Sequence, residues 1–555
     1  MVEGVTRWRE LLHSGNHFSH VKTIRVIPEE VFPPLIHLVE CGDHIYDKWQ
    51  YLPIGVDPEQ AADGRGWNAL ARLMGDLPAL VDFVYAGRQQ LDPSILEILQ
   101  TTQTGCRLHL ESFSLRGLIL APGKPVVVDT FEKNLATTRN LYSLVLSRFD
   151  EYDSDGGTDY NLKAVLDMVK GNENLKEVSV LRELPGSSPM LLGAVHQPRY
   201  AWQGTELTTR PSCSKGTLTS LELAGIHTGA VQSLRFWSEA TDFRHLRTLN
   251  LHSGVTQDAL TFLSANHNMP SLENLVLDLE GQQRDSISGE MRLAVRDFFW
   301  NLNPLSTLKL TGVFDEHDVD GILARHGQQL RYLAVFPDVF SAAKMSNIVS
   351  LIGSHCTMLE DLAVPVPRTV GSETEVFTYK SLGQIPNLRS IFLSLDCKFR
   401  MSTAERNLST EDERIFPALG GNTTLRNIDV RDMLINHAFD QDLARAIFET
   451  ITAGTSASRS RLEKLELKIQ SVKTNFSYPM SLQDVCGQLE GSWTLIRSPR
   501  DDRPNEIIAT WKPEPSISRN LGKDIEPVFR SLWPKKSDHW MQDWHSFPLC
   551  EPRDC

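Results

Sequence analysis

The stretch HLRTLNLHSG, ending at Gly254, places leucines at 246, 249 and 251, and SLENLVLDLE repeats the arrangement at Leu272, Leu275 and Leu277. Spacings of three and then two suit neither an α-helix, whose apolar face recurs every 3.6 residues, nor a plainly alternating strand. They suit a short strand whose two leucines point the same way, preceded by a turn whose leucine also tucks inward. The pattern starts at Val21, Ile24 and Val26 and recurs at Leu80, Phe83 and Tyr85. Further copies begin at Leu141, Leu175, Leu218, Leu305, Leu330, Leu359 and Leu388, and the last two at Leu425 and Leu462.

From Leu218 to Leu388 the steps between first positions are 28, 26, 33, 25, 29 and 29 residues. A period in the twenties with this signature resembles the leucine-rich repeat, and the resemblance runs from about Ser19 to Gln470. Between copies lie segments such as DALTFLSANHN, SNIVSLIGSH and DLARAIFETIT, with apolar residues at helical spacing; Ile348, Leu351 and Ile352 are one set. Strand, turn, helix and return imply an α/β solenoid in which each unit buries its apolar face only against its neighbours. The resemblance implies a ribonuclease-inhibitor-like horseshoe, with parallel strands on the concave face and helices on the convex face. Gly254 and Glu280 stand where the commonest repeat has asparagine, so a buried asparagine ladder is not expected.

The expected organisation is a short segment at 1–18, a solenoid at 19–474 and a C-terminal cap or tail at 475–555, with a long insert at about 182–217 and a polar loop at about 396–414. In the tail, WTLIRS and EIIATWK read as two short strands around a polar turn. Irregular repeats of this kind also resemble the divergent F-box/leucine-rich-repeat proteins abundant in filamentous fungi. That likeness implies a substrate receptor whose F-box docks the Skp adaptor of a cullin–RING ubiquitin ligase. The nearest F-box match is IPEEVFPPLIHLVE, from Ile27 to Glu40, followed by Trp49, but Pro33 and Pro34 interrupt its first helix, so the chain has no clear F-box. The alternative is an interaction scaffold or regulator independent of ubiquitin.

Composition narrows the partner. A formal net charge of −14 and a pI near 5.7 argue against nucleic acid. No window approaches the roughly 18 to 20 apolar residues of a membrane span, and the opening residues contain no apolar run of signal-peptide length. A cytoplasmic or nuclear protein with no membrane partner is expected. The eight cysteines are scattered, which suits reduced thiols.

Chemistry is sparse. EYDSDGGTDY fits several positions of a calcium loop, but Leu162 stands where the bidentate Glu belongs. In FDEHDVD, Asp315, Glu316, His317 and Asp318 are adjacent and cannot converge on one ion, so they read as a helix cap. No Gly-x-Ser-x-Gly or His-Glu-x-x-His motif and no phosphate loop occurs. The expectation is a binding protein without catalytic residues, metal or cofactor. Its candidate surface is the outward side of the strands, with Asn250, His252, Asn274, Asp278, Tyr332, Phe336, Asp361 and Phe392 facing a protein partner. Tyr332, Phe336 and Phe392 stand out as candidate exposed aromatic anchors. The same register places Asn427, Asp429 and Arg431, then Lys464, Glu466 and Lys468, on that side.

Overall fold

A computed structural model describes residues 2–27, 64–86, 91–113, 130–148, 160–182, 215–224, 230–266, 268–279, 288–338, 340–397, 409–416, 425–453, 462–469, 479–498, 507–513 and 521–550. The chain divides into two compact units, with the boundary between Leu305 and Ser306. Nearly all of the F-box-like segment, the core of the long insert, the calcium-like loop and residues 398–408 of the polar loop lie outside the described residues.

In the first unit eight strands lie in chain order: β1 (Thr23–Val26), β2 (Asp82–Tyr85), β3 (Arg107–Phe113), β4 (Leu141–Arg148), β5 (Glu177–Arg182), β6 (Ser220–Leu223), β7 (Thr248–Val255) and β8 (Asn274–Leu279). Each pairs in parallel with the next. Register follows the leucines: Leu221 lies beside Leu249 and Leu249 beside Leu275, while Leu223 meets Leu251 and Leu251 meets Leu277. These side chains are at most 1% exposed, as is Leu246 in the turn before β7. A one-residue slip would turn every leucine to the other face, so the buried row fixes the pairing.

The second unit begins with β9 (Thr307–Gly312), β10 (Tyr332–Pro337), β11 (Asp361–Pro367), β12 (Ser390–Asp396) and β13 (Lys464–Ile469), again parallel. Two antiparallel strands follow, β14 (Gly491–Arg497) on β13 and β15 (Ile507–Pro513) on β14. The helices between parallel strands bury one stripe each; Ala342–His355 buries Met345, Ile348, Val349 and Ile352. Helix starts are set by short polar side chains. Asp315 accepts from the His317 and Asp318 backbone N–H groups, and Asp318 accepts from the Asp315 N–H, making FDEHDVD a capping box. Each fully buried leucine stabilises the stack by about 1.5–3 kcal/mol relative to an exposed one.

Three sequence expectations change. First, β3 was not among the copies: Gly105 occupies its first apolar position and Cys106, 2% exposed, fills the space one residue late. Second, the copy at Leu425, Ile428 and Val430 is not a strand but the start of the helix Asn427–His437. Met433 and Leu434 extend that apolar set at helical spacing, and Asp429 accepts from the Arg426 N–H at the helix start. Asn427, Asp429 and Arg431 therefore do not belong to the sheet's outward row. Third, asparagines do bridge repeats, but in the turn before the strand. Asn140 donates to the Cys106 carbonyl at 2.8 Å, Asn174 to Arg139 at 2.9 Å, Asn303 to Pro270 at 2.9 Å and Asn387 to Thr357 at 2.6 Å. Each satisfies a turn carbonyl of the preceding repeat that has no strand partner.

The C-terminal residues pack into the second unit. Val430, Met433 and Leu434 share an apolar cluster with Leu482, Val485, Phe529, Trp533 and Trp540, and Trp544 and Phe547 pack at its edge. The Ser546 N–H and hydroxyl both reach Asp440, and the Cys550 N–H donates to the Gly371 carbonyl at 2.9 Å.

Candidate recognition surface

With the leucines committed to the helix side, the alternate residues of each strand form the opposite face. On the first unit this face carries a cross-strand polar network. Arg107 on β3 forks onto Asp82 of β2, with Nε at 2.7 Å and Nη2 at 3.0 Å from its two carboxylate oxygens. His109 lies 3.0 Å from Asp82 through Nε2 and 2.9 Å from the Ser143 hydroxyl of β4 through Nδ1. Arg107 also stacks over Tyr142, 4.8 Å from the ring centre, and Arg25 of β1 pairs with Glu111. Burial alone would raise the Asp82 carboxyl, but the hydrogen bonds from Arg107 and His109 outweigh it and hold it below its ordinary range.

A register irregularity between Leu108 and His109 brings Ser143 opposite His109. The order Asp82–His109–Ser143 is that of a nucleophile relay. Ser143 is only 9% exposed, however, and Arg107 already engages both Asp82 oxygens. The arrangement fixes side-chain positions across three strands.

Further along the same face, Glu222 of β6 accepts from Ser179 of β5 at 2.9 Å and lies 2.8 Å from His252 Nε2 of β7. Asn274 of β8 donates to Thr248 at 3.1 Å. The sequence-selected Asn250 is buried, while His252, Asn274 and Asp278 are half-buried at this surface. Asp82, Arg107, His109, Ser143 and Glu222 were missed. Four of them lie on or beside β3, the unrecognised repeat; the opposite charges at neighbouring strand positions were the available signal.

The second unit differs. Phe336 and Phe392 lie on the predicted face but are 4% and 5% exposed, packed with Ala334 and Ala363, and Tyr332 leans on the cluster. They are buried residues and not open anchors, gathered in one apolar cluster with the alanines of the same face. Lys309, Ser394 and Asp396 on the same row are also buried. Burial and the nearby Asp361 carboxylate push the Tyr332 hydroxyl up to about 12, and no hydrogen-bond partner meets that hydroxyl among the described residues. Asp361 is half-buried beside it. Lys464, Glu466 and Lys468 on β13 are the accessible end of this row, and Lys464 pairs with Glu466.

A second polar group sits inside the second unit. Glu375, fully buried, accepts from the Arg368 guanidinium, from the Tyr379 hydroxyl at 3.0 Å and from the Thr369 and Gly371 N–H groups at 2.7 and 3.1 Å. This holds the turn in which Val370 and Gly371 take φ of 59° and 71°. Asn436 accepts from the Val370 N–H at 2.7 Å, and next to it lies His437, completely enclosed. Burial first, and the Arg368 charge after it, depress the His437 imidazole to about 4. Burial likewise raises the thiols of Cys106 and Cys356 to about 12 and those of Cys397 and Cys486 well above their ordinary value. Such thiols are not nucleophiles. Among the described residues no three His, Cys, Asp or Glu side chains are grouped to hold a metal ion, and no helix is long and apolar enough to cross a membrane.

Taken by its repeating parts, the chain is of α/β class, built of successive strand, turn and helix units with parallel strands in each unit, and these units resemble leucine-rich repeats. No protein-family model matches it, and no curated protein does. Among solved structures it is similar to the leucine-rich-repeat-containing protein LegL7 from Legionella pneumophila, at 13% identity and a TM-score of 0.30, over 62% of this chain and 97% of that one. A superposition that loose informs neither shape nor partner.

Proposed function

We propose that the protein binds another protein on the outward strand face of its first unit. The observation that carries this reading is the row from Asp82 to Asn274. The Arg107 side chain is 43% exposed and Asp82, His109, His252 and Asn274 are half-buried, while Glu222 is buried; cross-strand hydrogen bonds hold the row, so little side-chain entropy is lost when a partner docks. The Asp82–His109–Ser143 set reads as part of this positioning network, with Ser143 buried and Arg107 holding both Asp82 oxygens. A photo-crosslinking residue at Arg107 or Asn274 should capture one stoichiometric partner in the native cell, and the same residue at Phe377, on a helix of the second unit, should not. Equal capture from both positions would refute the reading.

The narrower proposal is a substrate receptor for a Skp–cullin–F-box ligase, supported by the sequence resemblance alone. Its adaptor element would fall in 27–49, which beyond Ile27 lies outside the described residues. Purification of the tagged protein from cells with the proteasome blocked tests it. Copurifying Skp adaptor and cullin would support a receptor, and stoichiometric partners without them would leave a ubiquitin-independent scaffold.

A further inference from the structure

The helix Gly289–Asn301 of the first unit buries Met291, Ala294, Val295, Phe298 and Phe299. Its opposite side exposes two large apolar residues, Leu293 at 51% and Trp300 at 64%. At about 100° per residue these two lie within roughly 20° of each other, one above the next on a single line directed away from the body. The charges beside that line are sorted. Glu290 and Asp297 fall on one flank and Arg292 and Arg296 on the other, all within about 50 to 90° of the line.

A face with an apolar centre, one acidic flank and one basic flank is complementary to itself under one symmetry. When two copies pack with their helices parallel, about a two-fold axis along the helix direction, the acidic flank of each meets the basic flank of the other. Arg296 then lies within one residue rise, about 1.5 Å, of the level of Asp297 in the second copy. Arg292 lies within two, about 3 Å, of Glu290. An antiparallel pair would set Arg against Arg. Within a single copy Arg296 is paired only with its neighbour Asp297, at 3.2 Å with both side chains mostly exposed, a contact worth little in water. At the C-terminal end of the helix a cleft of about 490 Å³, lined by Leu263, Met269, Phe298, Asn301 and Leu302, adjoins Trp300.

We propose that this helix is a docking surface for a second copy of the chain, as a parallel two-fold pair centred on Leu293 and Trp300. Thirteen helical residues span about 20 Å, which places the contact at the small, concentration-dependent end of protein interfaces. The site is independent of the strand face used for the proposed partner.

The experiment is sedimentation equilibrium of the full chain from about 1 to 100 µM, with three variants. Arg292→Glu/Arg296→Glu makes both flanks acidic, and Glu290→Arg/Asp297→Arg makes both basic. Each alone should be monomeric where the wild type dimerises, and an equimolar mixture of the two should recover a heterodimer. Trp300→Ala should weaken wild-type pairing at least tenfold. Circular dichroism confirms folding of each variant, and recovery in the mixture shows that both charge variants are intact. A wild type that stays monomeric throughout the range overturns the proposal, as does a dimer unaffected by the charge variants or a mixture that does not associate.

Discussion

The enclosed imidazole of His437 makes the second unit sensitive to mild acid by an amount the structure specifies. Its Nδ1 lies 2.7 Å from the Met433 carbonyl of its own helix, so the neutral ring donates there. Its Nε2 has no hydrogen-bond partner among the described residues and lies 3.7 Å from a carboxylate oxygen of Glu490, the residue before β14. Asp396, at the end of β12, attracts the charged ring, and Arg368, after β11, repels it; burial exceeds both, leaving the group at about 4. An exposed histidine titrates near 6.5.

Because the folded value is the lower one, the unfolded chain binds the proton first. The stability contributed by the neutral ring is complete above about pH 6.5 and is lost as pH falls toward 4. At 1.36 kcal/mol per unit, the loss is about 2 kcal/mol at pH 5 and about 3 kcal/mol at pH 4. With a urea slope of about 3 kcal/mol/M, the midpoint should drop by about 0.7 M between pH 7.5 and pH 5. Tryptophan fluorescence reports it, since Trp493, Trp533, Trp540 and Trp544 all belong to this unit. His437→Gln, neutral at every pH, should be less stable at pH 7.5 but lose about 2 kcal/mol less than the wild type on acidification. Parallel pH dependences for the two proteins would show that the ring either is not enclosed or is already charged.

Two other substitutions test the packing account. Arg368→Met strands the Glu375 carboxylate in the interior and should cost about 3–5 kcal/mol, whereas Arg368→Met/Glu375→Gln should cost clearly less. Urea midpoints decide, and equal losses would mean that the charge pair is not the source. Asp315→Ala removes the side-chain half of the capping box at Glu316–His326, leaving the backbone N–H of residue 315 to donate to Asp318, and should lower stability by about 1 kcal/mol, with hydrogen exchange accelerated at the His317 and Asp318 amides.

The strands were legible in the sequence wherever three apolar residues kept their spacing, because burial on one side allows only one register. Legibility failed where another residue did the same work. Gly105 and Cys106 share the role of one leucine, which hid β3 and with it Arg107 and His109. At Leu425 the match was fortuitous: Leu425 precedes the helix, and Val430 belongs with Met433 and Leu434, three and four residues on, which decide the period. The outward strand face was half legible. Position parity put His252, Asn274 and Asp278 on it, where they are half-buried, but whether Phe336 and Phe392 are open depends on Ala334 and Ala363, residues tens of positions apart that become neighbours only in the folded sheet. The asparagine contacts lay in plain view as Asn immediately before the first leucine at 140, 174 and 387, offset from the position where the commoner repeat carries them.

The apolar cluster under the C-terminal residues also sets an order of events during synthesis. Most parallel repeats find their packing partners within some thirty residues, so they can close soon after leaving the ribosome. Val430, Met433 and Leu434 must wait for Phe529, Trp533 and Trp540. At about 5–20 residues per second, that interval of nearly a hundred residues lasts on the order of 5–20 s. During it, the Asn427–His437 helix has Leu482 and Val485 of its later partners to pack on, but the part of its apolar face that Phe529, Trp533 and Trp540 will cover meets water or a chaperone.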